Sequence, residues 1–143
     1  MGNYGLELSR GFKALKVWMS LKEHGIQKYA SAIRQNIAQS FYLGELVERE
    51  KHLELLAPVS MNVVCYRYKV ENHSDEYLNG LNKEIVMSLQ EQGIASPSST
   101  ILRGKYAIRV ANTNHRSRKE DFEILARETV RIGNRTADRG FGA

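Results

Sequence analysis

The sequence contains one cysteine, Cys65, and two prolines among 143 residues. A single thiol cannot close an intramolecular disulfide and leaves a cysteine-based metal site short of ligands, a usage that fits a reducing cytoplasm. Uninterrupted apolar runs are only a few residues long, far below the roughly 20 that a membrane-spanning helix needs, and residues 1–20 hold no signal-peptide apolar region. Neither secretion nor membrane insertion is expected. Gly2, Gly5 and Gly11 are not followed by Lys-Ser or Lys-Thr, so a glycine-rich phosphate loop is missing. His24, His52, His73 and His115 lie far apart and match no metal-ligand spacing. Cys65 falls in an apolar strand pattern, where a buried inert thiol is expected rather than a nucleophile. No internal repeat suggests a solenoid.

What is present has the composition of an ordinary globular domain: 42% hydrophobic and 26% charged residues, with 21 Lys and Arg against 16 Asp and Glu. A chain of this length buries roughly two thirds of its unfolded surface, enough for one core without staples. Phe12, Leu15, Val17, Trp18, Met19 and Leu21 sit among lysines at the spacing of a helix with a wide buried face, ended by Gly25. Ile26, Tyr29, Ala30, Ile33, Ile37, Phe41 and Val47 form a second helical stripe reaching about Arg49. Leu53 to Leu56 and Met61 to Tyr68 read as strands joined by a turn over Ala57 to Ser60 that holds Pro58. Asn72 or Ser74 offers an N-cap to a third helix, whose inner face is Leu78, Leu81, Ile85, Val86 and Leu89 and whose end is Gly93.

Thr100 to Leu102 and Tyr106 to Val110 flank Arg103-Gly104-Lys105, a hairpin connection. Ser117 and Glu120 suggest a capping box for a last helix with Phe122, Leu125, Ala126, Thr129 and Ile132 inward and Gly133 as its stop. The order implies an α+β domain: a four-stranded antiparallel sheet with helices packed on one face, preceded by two N-terminal helices. Residues 1–5 are expected to be disordered, 6–133 to form one domain, and 134–143 to be a flexible tail.

Arg103, Lys105, Arg109, His115, Arg116, Arg118 and Lys119 cluster around the last hairpin and helix start. Such a run is most simply a solvated basic rim. Arg109 differs, because it interrupts the apolar run Tyr106 to Val110. A guanidinium placed there calls for an anionic partner, with Glu120 or Asp121 as candidates within the chain.

Four ordered stretches together resemble the C-terminal part of the group II pyridoxal-phosphate-dependent amino acid decarboxylases, the family of aromatic amino acid, tyrosine and histidine decarboxylases. They are Leu8 to Trp18; Gly25-Ile26-Gln27 through Ile33-Arg34; Leu55-Leu56-Ala57-Pro58 through Val63-Val64-Cys65-Tyr66-Arg67; and Tyr106 to Ala111 with Asn114-His115-Arg116. The resemblance covers nearly all of residues 6 to 132. It implies that the chain is the small C-terminal domain of such a carboxy-lyase. A larger domain, absent from this chain, would carry pyridoxal phosphate and the His-Lys pair that holds it; the sequence has no His-Lys.

This segment is therefore expected to bind no cofactor or metal by itself, to decarboxylate nothing in isolation and to join a homo-oligomer. The resemblance marks Ser9 and Arg10 as substrate-pocket candidates, with Gly11 departing from the family's second arginine, and Arg109 as an anion-binding candidate. The alternative is a non-catalytic dimerisation or regulatory fragment. A nucleic-acid-binding module is disfavoured because acidic and basic residues intermingle.

Overall fold

The computed structural model describes residues 12–139. Ser9 and Arg10 lie outside these residues. The chain forms two compact units, Met1–Ala32 and Ile33–Ala143.

In the first unit, α1 (Lys13–His24) ends at Gly25, whose φ of 74° is readily adopted only without a Cβ and whose N–H bonds to the Leu21 carbonyl at 2.9 Å. The helix forms where the apolar spacing predicts it, but its expected burial does not follow. No residue of α1 is buried, and the first turns of α2 (Ile26–Arg49) are the only other described element of this unit.

The second unit contains the rest of α2, β1 (Leu53–Leu55), β2 (Val63–Tyr68), α3 (Asp75–Glu91), β3 (Ser98–Leu102), β4 (Lys105–Ala111) and α4 (Lys119–Asp138). The sheet is antiparallel throughout, in the order β1-β2-β4-β3. Alternation along the strands sends Val64, Tyr66 and Tyr68 of β2 and Ile108 of β4 into the core with Leu43, Val47, Leu81, Ile85, Leu89, Phe122, Leu125 and Ile132 from the helices. The opposite sheet face receives Glu54, Cys65, Arg67, Arg109 and Ser98, which the strand register sets side by side.

The inner faces expected for α3 and α4 are buried as their spacing predicts. Ser74 caps α3, its hydroxyl accepting from the Tyr77 N–H at 3.2 Å. Arg103 and Gly104, at φ 51° and 81°, make the two-residue turn between β3 and β4.

Three local expectations are corrected. The buried side of α2 is Asn36, Gln39, Ser40, Leu43, Gly44 and Val47, whereas Ile33 and Phe41 of the apolar stripe are exposed. Two of its polar side chains are bonded there: Gln39 Oε1 accepts from the Asn112 amide at 3.0 Å and its Nε2 donates to the Ser117 carbonyl at 2.6 Å, and Ser40 Oγ donates to the Asn36 backbone carbonyl at 3.0 Å, whereas Asn36 Oδ1 is buried without a hydrogen-bond partner. The cap of α4 is Arg118 rather than Ser117, with Asp121 rather than Glu120 accepting from the Arg118 N–H at 2.8 Å.

The third correction concerns Gly133, which does not end α4. It lies mid-helix where a Cβ would stand 2.5 Å from the Tyr68 ring, and the helix continues to Asp138. The segment expected to be a tail therefore begins in helix. Its first residue, Asn134, accepts a hydrogen bond from the Tyr68 hydroxyl at 2.7 Å.

Candidate functional site

The sheet face away from the helices carries the polar side chains from which a site could be built. Cys65 and Arg109 are direct cross-strand partners, and Arg109 also pairs in register with Ser98. The Arg109 guanidinium donates to Ser98 Oγ at 3.3 Å, and Ser98 Oγ donates to the Arg109 carbonyl at 3.1 Å. No carboxylate forms an ion pair with Arg109 among the described residues, and Asp121 is engaged at the α4 cap. The internal partners expected for Arg109 are thus not brought to it. The residue is half-buried, beside a depression of about 250 Å³ whose lining includes Ser96, Pro97, Ser98 and Val110. Burial pushes the Cys65 thiol upward, with the positive charge of Arg109 opposing the shift.

The arginine that burial obliges to pair is Arg67, only 4% exposed. Its Nε donates to Glu54 Oε2 at 2.9 Å and its Nη1 to Asp75 Oδ1 at 2.8 Å, while Lys105 Nζ stands 3.8 Å from Glu54 Oε1. Burial disfavours the guanidinium charge, but the bonds to Asp75 and Glu54 outweigh it and hold the pKa above its ordinary value. The bond from Arg67 holds the Asp75 carboxyl below the usual range. The cluster ties β1 to β2 and β2 to the start of α3, so its chemistry is that of a clamp. The signal for it was in the sequence: Arg67 lies in Val63 to Tyr68, an apolar run like the one around Arg109.

A second polar device sits where β2 and β4 part beyond the Tyr66–Ile108 pair. Fully buried Asn82 of α3 accepts from the Tyr68 N–H at 2.7 Å and donates to the Tyr68 carbonyl at 2.8 Å and the Leu78 carbonyl at 2.8 Å. Asn79, one turn earlier, accepts from the Tyr106 N–H at 2.6 Å and donates to the Gly104 carbonyl at 2.8 Å. Two side-chain amides thus stand in for missing ladder bonds, and the sequence reading missed both because they fall on a helix.

Among the described residues, no group of three or more His, Cys, Asp or Glu side chains could hold a metal ion. No described helix is long and apolar enough to cross a membrane. A pyridoxal phosphate site needs a lysine, an acidic partner for the ring nitrogen and a phosphate cradle. The described lysines are all exposed or half-buried, as Lys69 and Lys105 are, and no described pocket joins one to such a cradle. The described residues by themselves do not fit that cofactor.

Residues 1–69 match the family described as pyridoxal-dependent decarboxylase conserved domain. The chain is 34% identical over 122 residues to the aromatic-L-amino-acid decarboxylase of Bacillus atrophaeus, a match covering 85% of this chain and 25% of that protein. The glutamate decarboxylase domain of the Vibrio parahaemolyticus diaminobutyrate-pyruvate transaminase and L-2,4-diaminobutyrate decarboxylase superposes with a TM-score of 0.77 at 27% identity, covering 88% of this chain and 27% of that one. The Oryza sativa TDC solved with PLP superposes at 0.83 and 20% identity, a likeness of fold, over 95% of this chain and 30% of that one. The chain spans about a quarter of the length of the relatives it matches. By sequence and by fold, it corresponds to a segment of the group II pyridoxal-phosphate-dependent amino acid decarboxylase family.

Proposed function

We propose that this chain serves as the small C-terminal domain of a pyridoxal-phosphate-dependent amino acid decarboxylase, acting with a larger domain that supplies the cofactor lysine. The observation that carries this reading is the joint match of sequence and fold over most of this chain and about a quarter of each relative. In such an enzyme the cofactor acts as an electron sink for the charge left when carbon dioxide departs.

This chain's contribution is then a packed sheet and helices that complete the domain. Ser9 and Arg10 are assigned to the border of the substrate pocket, on the strength of their place in the family-like Leu8 to Trp18 stretch. Arg109 is assigned to anion contact, an assignment supported by its half-exposed guanidinium without an internal carboxylate partner among the described residues.

The experiment replaces the matched quarter of the Bacillus atrophaeus decarboxylase with this chain, giving an exchange enzyme. Release of carbon dioxide from aromatic amino acids, absent when that quarter is deleted and restored by the exchange, is the expected result. A folded, cofactor-loaded exchange enzyme no more active than the deletion would refute the reading.

A further inference from the structure

Arg109 has no carboxylate beside it among the described residues, and the group that orients its guanidinium is neutral. Pro97 is buried just before β3, and Gln90 Nε2 of α3 donates to its carbonyl at 2.9 Å, which fixes where the strand begins. Ser98 then falls opposite Arg109 in the antiparallel register. Its hydroxyl donates to the Arg109 carbonyl at 3.1 Å and accepts from Arg109 Nη1 at 3.3 Å. With the proton committed to the carbonyl, a lone pair of the same oxygen is turned toward the guanidinium, so one side chain ties both the main chain and the side chain of residue 109. On the other flank stands Cys65 of β2, whose thiol is only a weak acceptor.

The bond to Ser98 uses Nη1. Nε and Nη2, which share another edge of the planar fork, make no hydrogen bond among the described residues and present two parallel donors, the geometry that matches a carboxylate. A free arginine side chain samples many rotamers, and holding it in one beforehand removes part of the entropic cost of binding. We propose that Ser98 is a positioning residue for Arg109, its hydroxyl holding the guanidinium so that the Nε–Nη2 edge stays free for a carboxylate. This rests on the anion contact proposed above for Arg109 and adds the residue that orients it. Ser98 is exposed, so water competes for its bond and the expected effect is modest.

The test uses Ser98→Thr, which keeps the hydroxyl, and Ser98→Val, which removes it at nearly the same shape. In the isolated chain, nuclear relaxation of the Arg109 Nε–H group reports its order, with exposed Arg116 as the mobile reference. Arg109 should be restrained in the parent and in Ser98→Thr, and as mobile as Arg116 in Ser98→Val. In the exchange enzyme, Ser98→Val should raise KM for the aromatic amino acid about 3- to 10-fold with kcat within about twofold, and Ser98→Thr should restore it. Arg109→Met should raise KM at least as far, and adding Ser98→Val to it should change nothing further, because the hydroxyl acts only through the guanidinium. Equal mobility of Arg109 in Ser98→Thr and Ser98→Val, or KM effects that add in the double variant, would overturn the positioning role and leave the anion contact standing. An unchanged KM in Arg109→Met would remove the anion contact and the proposal with it. An exchange enzyme inactive with Ser98 and Arg109 both intact would refute the family reading on which both rest.

Discussion

Asn82→Leu keeps most of the side-chain volume and removes the amide that closes the gap between β2 and β4. Asn82 is fully buried, and its loss leaves the Tyr68 N–H and carbonyl without their partner, in a place too enclosed for water to reach easily. Each unsatisfied buried backbone group costs about 1–3 kcal/mol, so the variant should lose about 2–6 kcal/mol. A domain of this size is stable by only about 5–15 kcal/mol, so the loss is a large part of the whole. With a urea slope of about 1–3 kcal/mol per molar, the midpoint followed by far-ultraviolet dichroism should fall by roughly 2 M. Asn79→Leu is the control: its bonds lie nearer the surface, where water can replace the amide, and its loss should be roughly 1 kcal/mol or less. If Asn82→Leu costs no more than Asn79→Leu, the two amides do not substitute for the ladder and the account of the sheet is wrong.

Gly133→Ala puts a methyl 2.5 Å from the Tyr68 ring and should cost about 1–3 kcal/mol by overpacking; an unchanged melting temperature in calorimetry would show that the ring moves aside freely. Arg67→Met should cost about 1–3 kcal/mol in urea titration, because it strips two hydrogen bonds from a buried position, whereas Arg109→Met should change stability by less than roughly 0.5 kcal/mol; the reverse order would mean that the wrong arginine has been assigned the clamp. The Asp75 carboxyl has its pKa lowered on folding, so its contribution is complete above the ordinary value of about 3.9 and disappears as pH falls through the lower folded value. The stability gap between the parent and Asp75→Asn should accordingly close toward acid, and a gap constant with pH would exclude this linkage.

The amphipathic helices α3 and α4 were legible because their apolar positions recur with the helical period and face the sheet. The hairpin was legible at Arg103-Gly104-Lys105, although the turn itself is Arg103 and Gly104, both at positive φ, and Lys105 already belongs to β4. Elsewhere, tertiary partners overrode the pattern. The inward side of α2 is polar because Asn112 and Ser117 lie opposite it, and no local pattern carries that information. Gly133 looks like a stop signal in one dimension and is a close-approach residue in three. Arg67 and Arg109 occupy similar apolar runs, and only Glu54, brought alongside by the β1–β2 register, with Asp75 at the start of α3, makes one of them a buried clamp. Ser9 and Arg10 were found by resemblance alone and lie outside the described residues.

The central claim is that this chain works with a separate cofactor-bearing domain. Its most direct test is to incubate the isolated chain with pyridoxal phosphate, dialyse it and record the absorbance at about 420 nm, where a protonated cofactor–lysine bond absorbs. The account predicts that no band survives dialysis. A surviving band that disappears on one Lys→Ala change would contradict it, because the chain would then hold the cofactor itself.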